Sequence, residues 1–398
     1  MLEPLLSLRG GTTVASLNRP WRFAPTQSYD PDTNPEGLIS FGSAENYKIS
    51  AQDLLYRSGH SGSSKFAAVL AQHLNEYLKP HSAIGEEHIR IATSATAMHG
   101  TLAWALADQG DAILMGRPVY GRFELDFFNK SGVKVEYADT PADSQFDKTV
   151  VGKYEEALES CKSRGVKVKA LWIVNPHNPL GRCYPRETLI AILDFCQKHK
   201  LPLISDEIYA CSVFDSGEPN VVPFTSVLSI DAEKHIDPRL LHVTYGLSKD
   251  FGAAGLRIGA IVTRSDPVLQ AVDSVSRFQN AAGPSLSIGT AMLSDRDWCR
   301  SFIDGNRRKL AAAYKHVTSG LSDIGVKYMP GSNAGFFVYV DLSPYLSDEE
   351  RFPEFALAAK FNKAGVFLHP KEEHALEPGW FRLVYTQDPR TITEGLKR

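Results

Sequence analysis

Disulfide spacings, long apolar runs and an excess of one charge are all lacking from this sequence. Its five cysteines are an odd number scattered without a CxxC pair, so they form no disulfide framework and no metal site. No run of about 18 apolar residues is present, so we expect no membrane span. Residues 1–9 include an early Glu and Pro and have too short an apolar stretch, so we expect no signal peptide there. We therefore expect buried thiols in a reducing compartment and a cytoplasmic location.

The charge balance and the length narrow the class of protein further. Lysines and arginines number 43 against 46 acidic residues, and the resulting net charge of −3 gives no reason to expect a nucleic-acid partner. A chain of 398 residues is long enough for one large α/β domain plus a smaller one. The composition therefore indicates a globular protein without a nucleic-acid or membrane partner.

The middle of the chain alternates between two kinds of segment. Short apolar runs rich in β-branched residues predict seven strands: Ile89–Thr93, Ala112–Met115, Val133–Tyr137, Val168–Val174, Pro202–Ser205, His242–Tyr245 and Ile258–Val262. Helical patterns lie between several of them, at Thr96–Ala107, Tyr154–Ser163 and Arg186–His199. Such alternation predicts an α/β domain with a seven-stranded, mostly parallel sheet sandwiched by helices.

The pattern changes after about residue 290. A long helix near Asp297–Ser319 is followed by short strands and another helix near Arg351–Ala364, which predicts a smaller α+β domain. We expect the N-terminal segment to fold back and complete it. The predicted large domain therefore covers residues 50–290, and the small domain combines residues 1–49 with residues 291–398.

Lys249 and Arg257 form the most informative pair in the sequence. Lys249 ends an apolar strand and enters a loop of small residues, and Arg257 follows eight residues later. Such a lysine can form a Schiff base with an aldehyde, and such an arginine can hold a phosphate, which together suggest a pyridoxal 5′-phosphate (PLP) site. On this spacing alone, two surface residues would be the favoured interpretation. The motifs that follow reverse that preference.

Two polar motifs follow predicted buried strands. Asn178 lies in an Asn-Pro-Leu-Gly string after Ala170–Val174, where its amide could contact the phenolic oxygen of the cofactor. Asp206 follows the strand Leu201–Ile204, and a carboxylate there can pair with a protonated pyridine nitrogen. Tyr209 could bond the same phenolic oxygen as Asn178. The alternatives are a proline-rich turn for Asn178 and a helix N-cap for Asp206.

Three further positions suggest ligand contacts. Ser94, Ala95 and Thr96 stand where a strand ends and a helix begins, and backbone N–H groups at a helix start can bind an anion. A plain N-cap explains that stretch equally well. Tyr120 could stack on the pyridine ring or could simply pack. Arg382, on a predicted strand, could clamp an amino-acid carboxylate or could face solvent.

Taken in order, these motifs resemble the fold-type I PLP enzymes of the class I/II aminotransferase superfamily. The likeness is greatest to the branch of 1-aminocyclopropane-1-carboxylate (ACC) synthases. The shared strings are Asn34–Ile39, Ala44–Asn46, Asn178–Gly181, Asp206–Tyr209, Leu247–Asp250, Met292–Asp295, Ser332–Gly335 and Glu377–Arg382. They run across most of the chain, and a chance match of so many ordered motifs is very improbable.

The resemblance implies a role for each position. Lys249 would carry the Schiff base and shuttle the α-proton, while Asp206 pairs the pyridine nitrogen and Arg382 binds the substrate carboxylate. The cofactor phosphate would be bound by Ala95, Thr96, Ser248 and Arg257. The phenolic oxygen would be bound by Asn178 and Tyr209, and Tyr120 would stack on the ring. Glu45 lies where ACC synthases contact the rest of their substrate. The resemblance also implies a homodimer with shared active sites and a small amino-acid substrate.

The sequence departs from the ACC-synthase pattern at three places, the first of which puts ACC synthesis in doubt. His60 stands where those enzymes have a tyrosine that reaches the neighbouring active site and supports cyclisation, and it joins Glu45 as a candidate substrate contact. Gly246 replaces a serine, which removes one phosphate hydroxyl. Ala253 and Ala254 replace a Leu-Pro pair, which makes the loop wall smaller. We interpret these changes as a site reworked for another substrate.

The resemblance leaves several functions open. Fungal carbon–sulfur lyases of gliotoxin-type pathways also resemble ACC synthases, and they cleave cysteine S-conjugates by β-elimination. A sequence that is ACC-synthase-like but lacks the tyrosine fits that group, so we expect a PLP-dependent carbon–sulfur lyase of secondary metabolism. An aminotransferase using the same residues and an ACC synthase are the enzymatic alternatives. A non-catalytic binding protein is a further alternative, disfavoured because Lys249, Asp206, Arg257 and Arg382 are all present.

Overall fold

The computed structural model describes residues 29–41, 66–142, 144–276, 278–371 and 373–398. Its strands are β1 (Ile39–Ser40), β2 (Ile89–Ala92), β3 (Ala112–Arg117), β4 (Lys134–Asp139), β5 (Val168–Val174), β6 (Leu203–Asp206), β7 (Leu241–Gly246), β8 (Gly259–Thr263), β9 (Lys327–Tyr328), β10 (Phe337–Asp341), β11 (Val366–Phe367) and β12 (Trp380–Val384). Its helices are α1 (Phe66–Leu78), α2 (Ala95–Leu106), α3 (Phe123–Ser131), α4 (Val150–Ser163), α5 (Arg186–His199), α6 (Leu247–Asp250), α7 (Asp266–Ser276), α8 (Gly283–Ser294), α9 (Arg296–Asp323), α10 (Pro353–Lys363) and α11 (Pro389–Lys397). Within these ranges, no helix is both long enough and apolar enough to cross a membrane.

The larger sheet has seven strands in the order β2-β8-β7-β6-β5-β3-β4. Strands β7, β6, β5, β3 and β4 are parallel to one another, whereas β8 is antiparallel to both β2 and β7. The predicted seven-stranded, mostly parallel sheet is therefore confirmed. The predicted bounds of Val168–Val174 are confirmed, and those of the other six strands differ from the observed ones by one or two residues.

Helices cover both faces of this sheet. Along β5, Leu171 and Ile173 join one hydrophobic cluster, and Ala170, Trp172 and Val174 join the cluster on the opposite face. This alternation follows from the two-residue period of a strand, and burial on both faces explains why β5 is a continuous apolar run. Helices α1, α4, α5 and α8 pack on the first face, and α2, α3 and α7 pack on the second.

Local sequence signals set the ends of the helices. Pro185, with φ −59°, immediately precedes α5, and Glu187 lies in its first turn while Lys198 lies in its last. These charges complement the helix dipole. At the start of α9, the carboxylate of Asp295 accepts a hydrogen bond from the backbone N–H of Trp298 at 2.9 Å.

The C-terminal part of the chain builds a second, smaller layer. Strands β12, β10 and β9 form an antiparallel sheet in that order, and α9 and α11 pack in the same hydrophobic cluster. Tyr339 on β10 is the cross-strand partner of Arg382 on β12. The N-terminal strand β1 pairs in parallel with β11, so residues 39–40 join this C-terminal part, as expected for the N-terminal segment. The domain limits at residues 50 and 290 stay a prediction.

Ligands of parallel sheets bind beyond the carboxyl ends of the strands. Here β2 ends at Ala92, β6 at Asp206 and β7 at Gly246, all at the same edge of the larger sheet. Because β8 runs in the opposite direction, its first residue, Gly259, lies at this edge too, opposite Ala92 and Gly246. The motif residues at the ends of these strands are thereby collected at one edge of the larger sheet.

Candidate active site

Lys249 lies on the short helix α6, directly after strand β7. The next residue, Asp250, is buried and accepts hydrogen bonds from the Cys211 backbone N–H at 2.9 Å, the Ser212 hydroxyl at 2.7 Å and the Tyr245 hydroxyl at 3.0 Å. Burial raises the pKa of Asp250 to about 6, and these donors oppose that rise. Asp250 thereby ties the lysine-bearing helix to the segment that follows β6.

Asp206 is a buried carboxylate at the end of β6. Its Oδ1 accepts hydrogen bonds from the Thr244 hydroxyl at 3.1 Å and from the Ile208 N–H at 3.3 Å, while Oδ2 lies 3.5 Å from His99 Nε2. Burial raises the pKa of Asp206, and the charge of His99 and these hydrogen bonds oppose that rise. A buried carboxylate in such a setting favours a cationic partner.

His99 joins Asp206 to a second carboxylate. It lies on α2, one turn after Thr96, and its Nδ1 is 3.0 Å from Asp126 Oδ2. Burial alone would lower the pKa of His99, but the hydrogen bond to Asp126 and the charge of Asp206 raise it above its ordinary value. The chain therefore favours a protonated imidazole behind Asp206.

The start of α2 forms an anion-binding cradle. Ser94 has φ +88°, a conformation unusual for a residue with a side chain, and its hydroxyl accepts the Ala97 N–H at 3.2 Å. A Cβ placed on Gly259 would lie 2.2 Å from the Ala95 nitrogen, so only glycine allows β8 to pass this close to the cradle. The N-cap interpretation of Ser94 is thus correct, and it coexists with N–H groups at the helix start that can bind an anion.

Arg382 is held in the site by polar and aromatic neighbours. Its Nη1 donates to Asn178 Oδ1 at 3.0 Å, and its Nε lies 3.1 Å from Glu373 Oε1. The guanidinium carbon lies 5.9 Å from the ring centre of Tyr120 and 5.8 Å from that of Phe337. Arg382 is buried, so the solvent-facing alternative is wrong. Because Asn178 Oδ1 accepts this bond, its amide nitrogen is the end left to donate elsewhere.

These residues surround one cavity of about 280 Å³. Its walls include all of the sequence-predicted contacts that fall in the described residues: Ser94, Ala95, Thr96, Tyr120, Asn178, Asp206, Tyr209, Ser248, Lys249, Arg257 and Arg382. Glu45 and His60 lie outside the described residues. The aromatic walls are fixed by neighbours, since Tyr120 meets Phe123 edge-on at 5.4 Å and Tyr209 meets Phe336 edge-on at 5.4 Å.

Three functional candidates were not predicted from the sequence. His99 and Arg122 line the same cavity. Glu373 is not part of the cavity wall, and its carboxylate contacts Arg382. The position of His99 could have been predicted from helical periodicity, because a residue one helical turn after the cradle faces the same side of the helix. Glu373 gave none, because its position depends on the loop after β11 returning to the Val119 backbone, where the Val119 N–H donates to the Glu373 carbonyl at 2.9 Å.

Comparison with known proteins agrees with this arrangement. Residues 36–398 match the model of the aminotransferase class I and II family. The chain belongs to this family. It is 32% identical over 392 residues to the 1-aminocyclopropane-1-carboxylate synthase-like protein 1 of Homo sapiens, covering 93% of this chain and 77% of that protein.

One further sequence relative and one solved structure are also similar to this chain. The chain is 29% identical over 405 residues to the 1-aminocyclopropane-1-carboxylate synthase of Nicotiana tabacum, covering 95% of this chain and 81% of that one. The structure of aspartate aminotransferase from Thermus thermophilus with maleate is similar with a TM-score of 0.73, covering 91% of this chain and 90% of that chain at 21% identity. This last likeness shows the shared fold. Class I/II aminotransferase-family proteins are typically homodimers that act on amino-acid substrates.

The aminotransferase family is PLP-dependent, and the residues present here fit PLP. Asp206, which is buried and has its Oδ2 3.5 Å from His99 Nε2, can hold a pyridinium. Asn178 and Tyr209 can hold the phenolic oxygen, and the α2 cradle with Ser248 and Arg257 can hold the phosphate. When bound, PLP supplies a ring that accepts the electron pair left at the substrate α-carbon.

The chain itself supplies the remaining parts of the chemistry. Arg382 can bind the α-carboxylate of an amino acid, with its orientation set by Asn178 and Glu373. Lys249 Nζ can take the α-proton and return it, because it lines the same cavity. The protein is therefore an enzyme of the PLP-dependent aminotransferase superfamily, similar to ACC synthases.

Proposed function

We propose that this enzyme is a carbon–sulfur lyase that cleaves a cysteine-type S-conjugate by β-elimination. The observation that carries the proposal is His60, which stands where the ACC-synthase pattern has the tyrosine that supports cyclisation. The groups for α-proton removal are all kept, with Lys249, Asp206 and Arg382 around one cavity. A site that retains α-proton removal next to a sulfur leaving group, without the cyclisation residue, supports elimination.

The proposed reaction converts a cysteine conjugate and water into a thiol, pyruvate and ammonia. Lys249 Nζ takes the α-proton, and the bond between Cβ and sulfur breaks with its electron pair leaving on sulfur as a thiolate. The thiolate gains a proton and departs as a thiol. The remaining 2-aminoacrylate takes up water after release and yields pyruvate and ammonia, so no oxidant or reductant is needed. Arg382 holds the carboxylate throughout.

Transamination and ACC formation begin with the same removal of the α-proton. Lys249 and Asp206 serve all three reactions, so the described geometry favours none of them over the others. The products separate them. Elimination gives a thiol and pyruvate, transamination gives a 2-oxo acid with the sulfur still attached, and ACC synthesis gives ACC and methylthioadenosine.

The test gives PLP-loaded protein a simple cysteine S-conjugate, with and without a 2-oxo acid, and in parallel S-adenosylmethionine, and identifies products by mass spectrometry. We expect thiol, pyruvate and ammonia from the conjugate alone. Efficient transamination without thiol release, or ACC from S-adenosylmethionine with no cleavage of the conjugate, would overturn the proposal. Lys249→Ala should abolish turnover, whereas Lys153→Ala, which removes a half-buried lysine of α4 outside the cavity, should leave it unchanged.

We also propose that the enzyme is a homodimer. Its family supports this, and Glu45 and His60 are the positions at which the ACC-synthase pattern has contacts to the rest of the substrate and to the neighbouring subunit. Sedimentation analysis should give twice the 43.9 kDa chain mass. A His60→Ala subunit mixed with a Lys249→Ala subunit should regain activity if one site draws on both chains, and a monomeric active enzyme would refute the dimer.

A further inference from the structure

The helix that carries Lys249 is a single turn with two different faces. Leu247 and Asp250 of α6 are completely buried, as is Phe251 directly after it, whereas Ser248 and Lys249 line the candidate active site. A helix this short has too few internal hydrogen bonds to be stable by itself. The direction in which Lys249 points therefore depends on what anchors the buried face.

Asp250 is a polar anchor of this buried face. Its Oδ1 accepts a hydrogen bond from the Ser212 hydroxyl at 2.7 Å, and its Oδ2 accepts from the Cys211 N–H at 2.9 Å and from the Tyr245 hydroxyl at 3.0 Å. A backbone N–H has a fixed direction, but a tyrosine hydroxyl has one hydrogen that it can turn elsewhere. The bond from Tyr245 is therefore secure when another donor occupies the acceptor side of that hydroxyl.

His73, a buried residue of α1, is placed to be that donor. Its Nε2 lies 3.2 Å from the Tyr245 hydroxyl, and its Nδ1 lies 3.4 Å from both terminal nitrogens of the Arg296 guanidinium. Burial and the charge of Arg296 lower the pKa of His73 to about 3, so its imidazole is neutral and carries one hydrogen. An arginine can only donate, so Nδ1 accepts and the hydrogen lies on Nε2. His73 thus donates to Tyr245, and Tyr245 donates to Asp250.

Arg296 is itself held by a carboxylate nearer the surface. Its Nη2 and Nε donate to Glu76 Oε2 at 2.7 and 3.0 Å, and Arg300 donates to Glu76 Oε1 at 2.8 Å. Glu76 lies one helical turn after His73 on α1, and Arg296 is the first residue of α9. The hydrogen-bonded line from Glu76 to Asp250 therefore joins α1, α9, β7 and α6, and each bond in it sets the direction of the next.

We propose that His73 and Tyr245 are positioning residues for Lys249. They hold Asp250 in place, so that α6 keeps its buried face seated and directs Lys249 Nζ into the cavity. Neither side chain belongs to the described cavity wall, so both act through Asp250. The inference goes beyond the proposed lyase and does not depend on it, because Lys249 takes the α-proton in elimination, transamination and ACC formation alike.

The test measures how fast Lys249 reaches the aldehyde of PLP. Protein freed of PLP is mixed with saturating PLP, and the visible absorbance of the bound aldehyde is followed in time. We expect Tyr245→Phe and His73→Leu to react about tenfold more slowly than the unaltered protein, because a misplaced reacting group loses rate steeply.

Matched variants assign this effect to the hydrogen-bonded line. His73→Gln should react within about twofold of the unaltered rate, because its amide can donate to Tyr245 and accept from Arg296. Tyr154→Phe removes a buried hydroxyl of α4 outside the cavity and should react at the unaltered rate. His73→Leu combined with Tyr245→Phe should be no slower than the slower single variant, because both changes break the same line.

Butyrate binding separates positioning from a general loosening of the fold. Titration calorimetry should give the PLP-loaded variants the affinity of the unaltered protein, because Arg382 is held by Asn178 and Glu373 instead. An unaltered rate in Tyr245→Phe would overturn the inference. So would a His73→Gln variant as slow as His73→Leu, or butyrate binding that weakens together with the rate.

Discussion

Glu373 places its carboxylate 3.1 Å from the guanidinium Nε of Arg382, and both side chains are buried. The arginine that can receive a substrate carboxylate thus already has a carboxylate on one edge. This pairing fixes the orientation of the guanidinium, and it also weakens the electrostatic attraction between the guanidinium and an incoming anion.

Replacing Glu373 by Gln should therefore tighten the binding of simple carboxylates. We expect the dissociation constant for butyrate to fall about tenfold, because the competing negative charge is lost. The ligand-free variant should lose about 3 kcal/mol of unfolding free energy, because a buried charge is left without its partner. Calorimetry and denaturant unfolding measure both effects. Glu377→Gln, in the same loop but exposed, should change neither, and weaker butyrate binding by Glu373→Gln would contradict this account.

Replacing His99 by Asn should shift the pH dependence of catalysis. The charge of His99 opposes the rise that burial causes in the pKa of Asp206, so its loss should raise that pKa further. Asp206 must be ionised to pair with a pyridinium, so the acidic limb of the kcat/KM profile should move to higher pH. His199→Asn, which removes an imidazole paired with Glu155 on the surface of α4, is the matched control. An unshifted acidic limb in His99→Asn would refute the coupling.

Glu207 should make stability depend on pH in the neutral range. Burial raises its pKa to about 7 from an ordinary 4.5, so its protonated form stabilises the fold below about pH 4.5 and this stabilisation is lost as pH rises through 7. Glu207→Gln should remove this loss, because the amide oxygen can still accept the Val227 N–H now bonded at 3.0 Å. Denaturant unfolding between pH 5 and about 8 measures the slope. The exposed Glu187→Gln should leave the slope unaltered, and the same slope in Glu207→Gln would disprove the assignment.

Gly259→Ala should weaken the phosphate cradle. The added Cβ would meet the Ala95 nitrogen at 2.2 Å, so the start of α2 must shift, at a cost of about 1–3 kcal/mol. We expect faster loss of PLP in dialysis, followed by the visible absorbance of the bound aldehyde. Gly255→Ala, where a Cβ has no neighbour within 4 Å, should retain PLP normally. Equal retention by both variants would show that the close approach of β8 is unimportant for the cradle.

Much of the site could be predicted because its residues belong to short local patterns. Lys249 and Asn178 each follow a buried strand and Asp206 ends one, and the carboxyl ends of those strands meet at one sheet edge. The strands themselves could be predicted from apolar runs such as Val168–Val174, whose bounds were correct. In these places local sequence and tertiary structure depend on the same pattern.

The missed residues depend on long-range packing. Glu373 meets Arg382 because the loop before β12 returns to the Val119 backbone, and no local spacing encodes that return. The direction of β8 was also not specified, since an apolar run such as Gly259–Thr263 is compatible with either orientation. His99 is the exception, because helical periodicity alone places it one turn below the cradle.

The reversed direction of β8 has a consequence for how the cofactor is kept. Because this strand starts at the edge where β7 ends, Lys249 and Arg257, on a single stretch of backbone, can hold the aldehyde end and the phosphate end of one small molecule. A fluctuation that opens this stretch frees both ends at once, whereas anchors on remote strands could let go one after the other. Cofactor exchange and hydrogen–deuterium exchange of the amides in residues 246–259 should therefore accelerate together.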